Sequence, residues 1–308
     1  GSEAMSGAGA SNYCTALGAG ALSGATTTDA NFTVAIGYIA GRNITSGQRN
    51  LAIGGYALES LAVGDDNIAI GYRAAYNLGT STFANRNIAI GTYALLSAAN
   101  NNINDNVAIG YGALSQSVHS DGDNNVAIGS YAMSDLTAGS WAMVAVGQNA
   151  LRKTNHADSL GSTAVGFSAL TANVSGIGNV AVGFQALKSE DDGDYNTAIG
   201  YQALTDQTGV TGAVGNTAVG YQAGKAVTSG TEDTFIGYKA GLANTTGLYN
   251  TVVGSQAFFN NVDGDQNTVI GYAALYSFEA GSDGNGKNVA IGSNTAFHLD
   301  SGTENTMV

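Results

Sequence analysis

The segment Asn-Thr-Ala-Ile-Gly-Tyr-Gln-Ala-Leu, residues 196–204, is the fullest copy of a phrase that recurs from one end of the chain to the other. Its central part, Asn-X-Ala-Ile/Val-Gly, is found in fifteen close copies whose glycines are 17 to 21 residues apart. Self-similarity at such a period indicates a repeat protein in which each copy is one structural unit. The glycines are Gly37, Gly54, Gly71, Gly91, Gly110, Gly129, Gly147, Gly166, Gly183, Gly200, Gly220, Gly237, Gly254, Gly271 and Gly292.

Two incomplete copies flank the fifteen. Thr15-Ala16-Leu17-Gly18 precedes them, and the chain ends at Val308 inside a further copy that has begun at Asn305. Because no shift in composition marks a boundary, we predict residues 14–308 to be one continuous array of about sixteen coils, truncated within a repeat. The opening Gly-Ser is typical of an expression scar, so residues 1–13 are expected to be a scar and leader.

The composition favours an ordered, all-β chain. Of the 308 residues, 44% are hydrophobic and 11% are charged, which is richer in apolar residues than disordered chains usually are. Glycine occurs 45 times and proline is absent. Proline cannot donate a ladder hydrogen bond, so its absence is expected of a chain made of strands.

Positions are numbered here from the phrase glycine, so that asparagine stands at −4 and the next residue after the glycine at +1. Isoleucine or valine fills −1 in all fifteen copies, alanine fills −2 in twelve, and a β-branched or apolar residue fills −3. This alternation predicts a short strand. A second short strand, Tyr-X-Ala-Leu, is predicted at +1 to +4. The glycine and the asparagine are assigned to two corners, where asparagine tolerates left-handed backbone or bonds locally.

A parallel β-solenoid follows from two short strands, a glycine corner and a loop of variable length per repeat. A helical solenoid is the main competitor, but β-branched residues and a glycine in every copy oppose helix formation. Length variation falls between the +4 position and the next asparagine, which maps insertions to one edge. So thin a coil leaves an apolar face exposed, and such a face usually marks an interface.

Residues 106–110, 125–129 and 288–292 each read Asn-Val-Ala-Ile-Gly. They resemble the head repeat of trimeric autotransporter adhesins, the YadA-like left-handed parallel β-roll. The fuller copy at 196–204 is similar to repeats of bacteriophage tail fibres and related surface proteins. The resemblance covers about residues 14 to 308 and implies a left-handed roll and a homotrimer. The repeats of the best-known adhesin heads are shorter than those here, which favours the tail-fibre version.

This resemblance implies an extracellular fibre shaft or head, on a virion tail fibre or a bacterial surface, that displays a binding surface for an unknown cell-surface receptor, glycan or protein. We predict a structural and host-attachment protein without catalysis. A bacterial surface adhesin head that binds host matrix or glycans is the alternative, and an ice-binding or calcium-binding solenoid is a further one.

Charge and hydropathy exclude two classes of partner. The net charge of −13, with ten lysines and arginines spread thinly, offers no basic stripe for nucleic acid. No apolar run approaches the roughly 20 residues needed to cross a bilayer, so no membrane insertion is expected within this segment.

No catalytic, cofactor or metal constellation is recognisable in the sequence. His119, His156 and His298 lie in or near loops with no second ligand at metal spacing, and Cys14 is the one cysteine. Glycine-rich fingerprints for nucleotides are absent once the repeat glycines are set aside. We predict no enzyme activity and no cofactor.

Acidic turns are the weak metal candidates. Three Asp-Gly-Asp turns each place two carboxylates shortly before a phrase asparagine, and two carboxylates on one turn could share a calcium ion. Asp-Gly is also favourable turn chemistry without any metal, and no third acidic ligand stands at a fixed offset. The six residues are Asp121, Asp123, Asp192, Asp194, Asp263 and Asp265.

Aromatic residues and threonines supply the last candidates. Tyrosine or phenylalanine follows the phrase glycine in nine copies, a row that could bind sugar rings but that is explained equally by stacking between coils. Phe83, Trp141 and Tyr249 lie outside this pattern and are the candidates for receptor contact. A rank of threonine at −3, expected on the same face as buried isoleucine and valine, could order water for ice binding: Thr197, Thr217, Thr234, Thr251 and Thr268.

Overall fold

A computed structural model describes residues 2–6, 12–24, 29–79, 84–96, 103–116, 122–136, 141–154, 160–208, 211–278, 286–299 and 302–308. The chain divides into two compact units, Gly1–Leu160 and Gly161–Val308. All regular elements of the described residues are β-strands, and no helix is found among them. The prediction of an all-β chain is confirmed for these residues.

The first unit contains one ladder of eight parallel strands, each three residues long. Neighbouring strands pair in register, so that Thr15 lies opposite Val34 and Val107 opposite Val126. The strands are β1 (Thr15–Leu17), β2 (Val34–Ile36), β3 (Leu51–Ile53), β4 (Ile68–Ile70), β5 (Ile88–Ile90), β6 (Val107–Ile109), β7 (Val126–Ile128) and β8 (Val144–Val146).

The second unit repeats this ladder with nine parallel strands in the order β9, β10, β12, β14, β15, β16, β17, β19 and β21. Two further pairs, β11 with β13 and β18 with β20, lie outside the ladder. The strands are β9 (Thr163–Val165), β10 (Val180–Val182), β11 (Gly193–Asp194), β12 (Thr197–Ile199), β13 (Gly212–Ala213), β14 (Thr217–Val219), β15 (Thr234–Ile236), β16 (Thr251–Val253), β17 (Thr268–Ile270), β18 (Ser277–Phe278), β19 (Val289–Ile291), β20 (His298–Leu299) and β21 (Thr306–Met307).

Each of the fifteen copies of the phrase, and the incomplete copy before them, contributes one ladder strand at −3 to −1, and the last copy contributes the two residues Thr306–Met307. The parallel β-solenoid is therefore confirmed within each unit. Single-residue register is maintained because the small alanine must face inward, and a slip by one residue would turn it outward. The −2 alanine is fully buried in each of the twelve close copies that have it, as at Ala52 and Ala198.

The phrase glycine is required by close approach between coils. Its backbone lies at φ of about 130° to 145°, as at Gly254 with φ 145°. A Cβ at Gly254 would overlap the carbonyl group of Gly271 in the next coil. No L side chain fits between glycines that stack directly on one another, and this explains their recurrence.

The second predicted strand is wrong. Residues +1 to +4 form turns in which +2 and +4 adopt left-handed backbone, as at Gln202 with φ 54° and Leu204 with φ 48°. Their amides still bond to adjacent coils: Gln202 N donates to Phe184 O at 2.9 Å, and Leu204 N donates to Ala223 O at 3.1 Å. Alternating right- and left-handed residues curl the chain and bury the adjacent +3 and +4 side chains together, as Ala203 and Leu204 show.

The asparagine at −4 is not the left-handed residue of its corner. The residue before it takes that conformation, as at Asp66 with φ 58°. Asn67 instead is fully buried; its backbone N donates to Asn50 Oδ1 at 2.9 Å, and its Nδ2 donates to Ala84 O at 2.7 Å. The same bonds recur from coil to coil within each unit, which gives a buried asparagine row that satisfies backbone groups at the turn.

Candidate functional site

An uncharged outer strip runs along the ladder of each unit and is its main candidate surface. We define the outer strip as the side chains at −3 and −1 of the ladder strands. In β2 to β10 the middle residue is buried and both flanking residues are partly exposed. Each flanking residue there is isoleucine, leucine, valine or threonine. An apolar surface of this kind is exposed and free of charge over many coils.

The threonine rank lies on this outer strip. The threonines share a face with isoleucine and valine, as predicted, but the prediction that this isoleucine and valine are buried is wrong. Thr197 pairs with Thr217 and Ile199 pairs with Val219 in the same register. Ile199 is 40% exposed, because only the −2 side chain points into the narrow coil. Threonine and aliphatic side chains therefore alternate across an outward face.

Aromatic rings at +1 form a continuous stack in the second unit. Adjacent rings have centroids 5.0 to 5.3 Å apart and planes within 7° to 12° of one another. Each internal ring therefore has both faces covered by its neighbours, and edges alone meet solvent. The stack comprises Phe167, Phe184, Tyr201, Tyr221 and Tyr238. Beside it the amides of Gln185, Gln202 and Gln222 bond in series at 3.0 and 2.9 Å.

The first unit arranges its tyrosines differently. Tyrosine stands at +1 in every second coil, and the intervening coils place it at +2. Neighbouring rings meet nearly at right angles, with interplanar angles of 75° to 89° and centroids 5.3 to 6.0 Å apart. We call this set the perpendicular tyrosine row: Tyr38, Tyr56, Tyr72, Tyr93, Tyr111 and Tyr131.

All five arginines of the chain lie in the first unit, and four of them lie between residues 42 and 86. Arg42 is 2.7 Å from Glu59, Arg49 binds Asp66 at 2.6 Å, and Arg86 binds Asp105 at 2.6 Å. The guanidinium groups lower the pKa of the Asp66 and Asp105 carboxyls by direct hydrogen bonds. Because these last two pairs are exposed, each contributes little to stability.

The acidic turns cap the neighbouring coil. Asp194 Oδ1 accepts a hydrogen bond from Ile177 N at 2.8 Å, and Asp265 Oδ1 accepts one from Leu248 N at 2.8 Å. Asp123 does the same for Asn104 N at 2.6 Å. Asp192 Oδ1 accepts a hydrogen bond from the Ser175 hydroxyl at 2.6 Å. Each has one oxygen engaged by the protein, and calcium binding at these turns stays a prediction.

No group of three or more His, Cys, Asp or Glu residues that could hold a metal is found in the described part of the chain. Asp263 is partly exposed, and Asp121 lies outside the described residues.

Removing the Asp194 carboxylate is expected to cost about 1–2 kcal/mol of unfolding free energy, because Ile177 N then loses its acceptor. The matched variant Asp194→Asn keeps an oxygen in place and should cost less than about half as much. Urea unfolding of Asp194→Ala and Asp194→Asn measures both. Equal losses in the two variants would show that the carboxylate charge, as in a calcium site, matters more than the acceptor.

The receptor candidates are exposed but are not brought together. Trp141 is 46% exposed and pairs by a single bridge with Leu160 in the first unit. Tyr249 is 49% exposed in the second unit and adopts left-handed backbone, with φ 61°. Phe83, together with His119 and His156, lies outside the described residues. His298 is exposed and packs edge-on against Phe297, with centroids 4.7 Å apart.

Sequence reasoning missed two features. One is a row of Asp and Asn side chains at −6, whose oxygens accept hydrogen bonds from backbone N–H groups of the preceding coil. Its sequence signal is the frequent Asp or Asn two residues before the phrase asparagine. The other is a polar core position at +7 of the second unit. Glu190 is 1% exposed, and its carboxylate accepts hydrogen bonds from Gly193 N at 2.7 Å and from Gln207 Nε2 at 2.5 Å. Burial raises the pKa of the Glu190 carboxyl.

Comparison with known proteins adds no relative, since no family model, no curated protein and no solved structure matches the chain. Among the described residues no helix is long and apolar enough to cross a membrane. The function must therefore be argued from the two units themselves.

Proposed function

We propose that this β-solenoid is an extracellular, homotrimeric fibre shaft or head that carries out host attachment and has no catalytic activity, as in a phage tail fibre. The outer strip supports the proposal. A half-exposed apolar face that extends over many coils is costly in water and is the usual sign of a protein interface. Packing of the ladder faces against two further copies would bury it.

The resemblance of the phrase to trimeric surface repeats supplies the number three and the left-handed coil. Charge supports burial of this face in a trimer. The −3 and −1 positions of every ladder strand from β2 to β19 are uncharged. Charged core residues are depleted in stable interfaces, so the pattern fits permanent association.

We expect light scattering after size exclusion to give a mass near three times 30.8 kDa. Ile270→Glu should lower that mass to one chain, because Ile270 is 39% exposed on the outer strip and a charge there would be buried in the trimer. Gln266→Glu adds the same charge at an exposed position off the strip and should leave the mass unchanged. A wild-type mass of one chain would sink the trimer proposal.

A binding assay distinguishes a phage tail fibre from a bacterial adhesin head. Labelled protein is added to intact bacteria and, in parallel, to plates coated with host matrix proteins. We expect retention on bacteria, as a tail fibre requires. Retention on host matrix alone would instead support a bacterial adhesin head, and retention on neither would contradict a host-attachment function.

Ice binding is a second candidate because five outer-strip threonines pair residue for residue, from Thr197 to Thr268. Strands about 4.8 Å apart would hold their hydroxyls in a regular rank. This function needs the outer strip exposed, whereas the trimer needs it covered. A monomeric mass together with thermal hysteresis would favour ice binding over the fibre.

A further inference from the structure

We infer that the perpendicular tyrosine row around Arg73 binds an acidic saccharide whose carboxylate is held by the Arg73 guanidinium. This inference rests on the proposed attachment function and gives it a receptor class. The site consists of Tyr56, Tyr72, Arg73 and Tyr76 in the first unit, which we call the Arg73 patch.

Arg73 differs from the other three arginines of its region. No described carboxylate forms an ion pair with it, whereas Arg42, Arg49 and Arg86 each have one. Its guanidinium carbon lies instead 5.5, 5.3 and 5.2 Å from the ring centroids of Tyr56, Tyr72 and Tyr76. Its Nε is buried and has no hydrogen-bond partner among the described residues. The charge is thus held by aromatic rings and is open to an anion.

A buried carboxylate next to Tyr76 already forms an ion pair with another arginine. Glu59 is 6% exposed and pairs with Arg42 at 2.7 Å. A hydrogen bond to Glu59 is also the first cause of the raised pKa of the Tyr76 hydroxyl. Glu59 is therefore paired with a cation through Oε1, while its buried Oε2 has no hydrogen-bond partner among the described residues. The patch carries a local positive charge on a chain whose net charge is −13.

Ring orientation makes the row suitable for sugars. In a perpendicular pair one ring contributes only an edge, so its faces are not covered by that neighbour. The stacked row of the second unit lacks this property, because its planes lie within 7° to 12° of one another. In each perpendicular pair of the first unit one ring therefore has faces that its neighbour does not cover, whereas the internal rings of the stacked row have both faces covered.

Spacing favours an extended polymer over a small ligand. Tyr38, Tyr72 and Tyr111 are 54%, 42% and 46% exposed and recur in every second coil. Two strand spacings amount to about 9.6 Å, which is of the order of a disaccharide repeat. Gly55 and Thr92 occupy the intervening +1 positions, and the rings of Tyr56 and Tyr93 lie between the exposed tyrosines from +2. Guanidinium groups bind carboxylates through two parallel hydrogen bonds, which suits a sugar acid.

Two probes test this site by calorimetry at low salt: a hexamer of galacturonic acid and a hexamer of sialic acid, each compared with its methyl ester. At least one free acid should bind the native protein ten times more tightly than its ester. Arg73→Gln and Tyr72→Thr should each weaken that binding about tenfold; threonine fits because Thr92 occupies the same +1 position in the next copy of the phrase. Tyr221→Thr, in the stacked row, should change it less than twofold.

The inference is overturned if neither acid binds better than its ester, if Tyr221→Thr weakens binding as much as Tyr72→Thr, or if polyglutamate of equal length binds equally well. The last result would indicate an acidic peptide site. Failure here is distinguishable from failure of the fibre proposal. A trimeric mass with attachment to bacteria retained in Arg73→Gln leaves the fibre standing, whereas a monomeric mass overturns the fibre whatever the saccharide result.

Discussion

Replacing Phe235 by alanine is expected to lower the unfolding free energy by about 3–5 kcal/mol, the usual cost of deleting a buried phenylalanine ring. Phe235 is fully buried at −2 of β15, where twelve of the fifteen copies have alanine. If only its own strand is considered, the phenylalanine ring is too large for a position that usually holds alanine. Its neighbours show why the ring fits.

Two glycines make room for the ring. Gly224 and Gly241 stand at +4, the position that leucine occupies in many copies. A Cβ at Gly224 would lie 2.8 Å from Phe235 Cδ2, and a Cβ at Gly241 would overlap the ring. One phenylalanine therefore fills the space of the missing side chains, and its removal would leave a void that the surrounding short strands cannot close.

A double variant tests this explanation. Gly241→Leu alone should destabilise severely, since the new side chain would occupy the same space as the ring. Phe235→Ala with Gly241→Leu should recover most of the loss, because it restores the common pattern of small −2 and large +4 residues. Backbone strain does not prevent this: Gly241 has φ 59°, and Leu204 at the same position has φ 48°.

Urea unfolding of the four proteins gives the coupling free energy directly. We expect the double variant to be more stable than either single variant. Simple addition of the two single losses would show that the ring and the glycines do not share one volume.

The ladder could be predicted from the sequence because its rules are local. A β-branched residue, alanine and a second β-branched residue before a glycine recur often enough to identify strand, inward face and register. The turn at +1 to +4 could not, because Tyr-X-Ala-Leu has the same apolar spacing as a strand. Its one visible sign is that +3 and +4 are both apolar, as Ala203 and Leu204 are, which breaks strict alternation.

The three copies that lack alanine at −2, with Phe235, Val252 and Val269 in its place, could be located from the sequence, but how the coil accommodates Phe235 could not be explained from it. The compensating glycine at 224 is eleven residues away and belongs to the preceding coil, so only the folded coil brings it to the ring. The receptor candidates show the same limit. Trp141 and Tyr249 were singled out because they depart from the repeat, whereas Tyr72 of the Arg73 patch occupies the common aromatic position +1. Its distinction is the angle between rings, which no spacing reveals.

The largest pH effect is expected from Asp233, which replaces asparagine in the buried row of the second unit. Asp233 is 1% exposed. Its Oδ1 accepts hydrogen bonds from Asn250 N at 2.8 Å and from Asn250 Nδ2 at 3.0 Å, and its Oδ2 accepts one from Asn244 Nδ2 at 3.2 Å. Burial raises the pKa of Asp233 from 3.8 to about 8, and the negative charge of Asp265 adds to the increase, while the amide donors oppose it.

A carboxyl with a raised folded pKa stabilises the protein in its protonated form. The contribution is complete below pH 3.8 and is lost as the pH rises towards 8, because the unfolded chain releases the proton first. Each unit of pKa difference corresponds to about 1.4 kcal/mol. Asn244 Oδ1 has no partner among the described residues, and turning that amide over would let it accept a hydrogen bond from protonated Asp233 Oδ2, at the cost of the bond that Asn244 Nδ2 donates to Gly247 O at 3.2 Å.

Asp233→Asn is the matched variant, because asparagine occupies the same position in eleven copies and does not titrate. We expect the variant to gain about 2–4 kcal/mol relative to the native protein between pH 5 and pH 8. Urea unfolding of both proteins at pH 5, 6.5 and 8 measures this gain. Glu190, the other buried carboxyl with a raised pKa, is present in both proteins, so its effect cancels. A difference that stays constant over this range would show that Asp233 is ionised in the folded coil, with the Asn250 and Asn244 amides outweighing its burial.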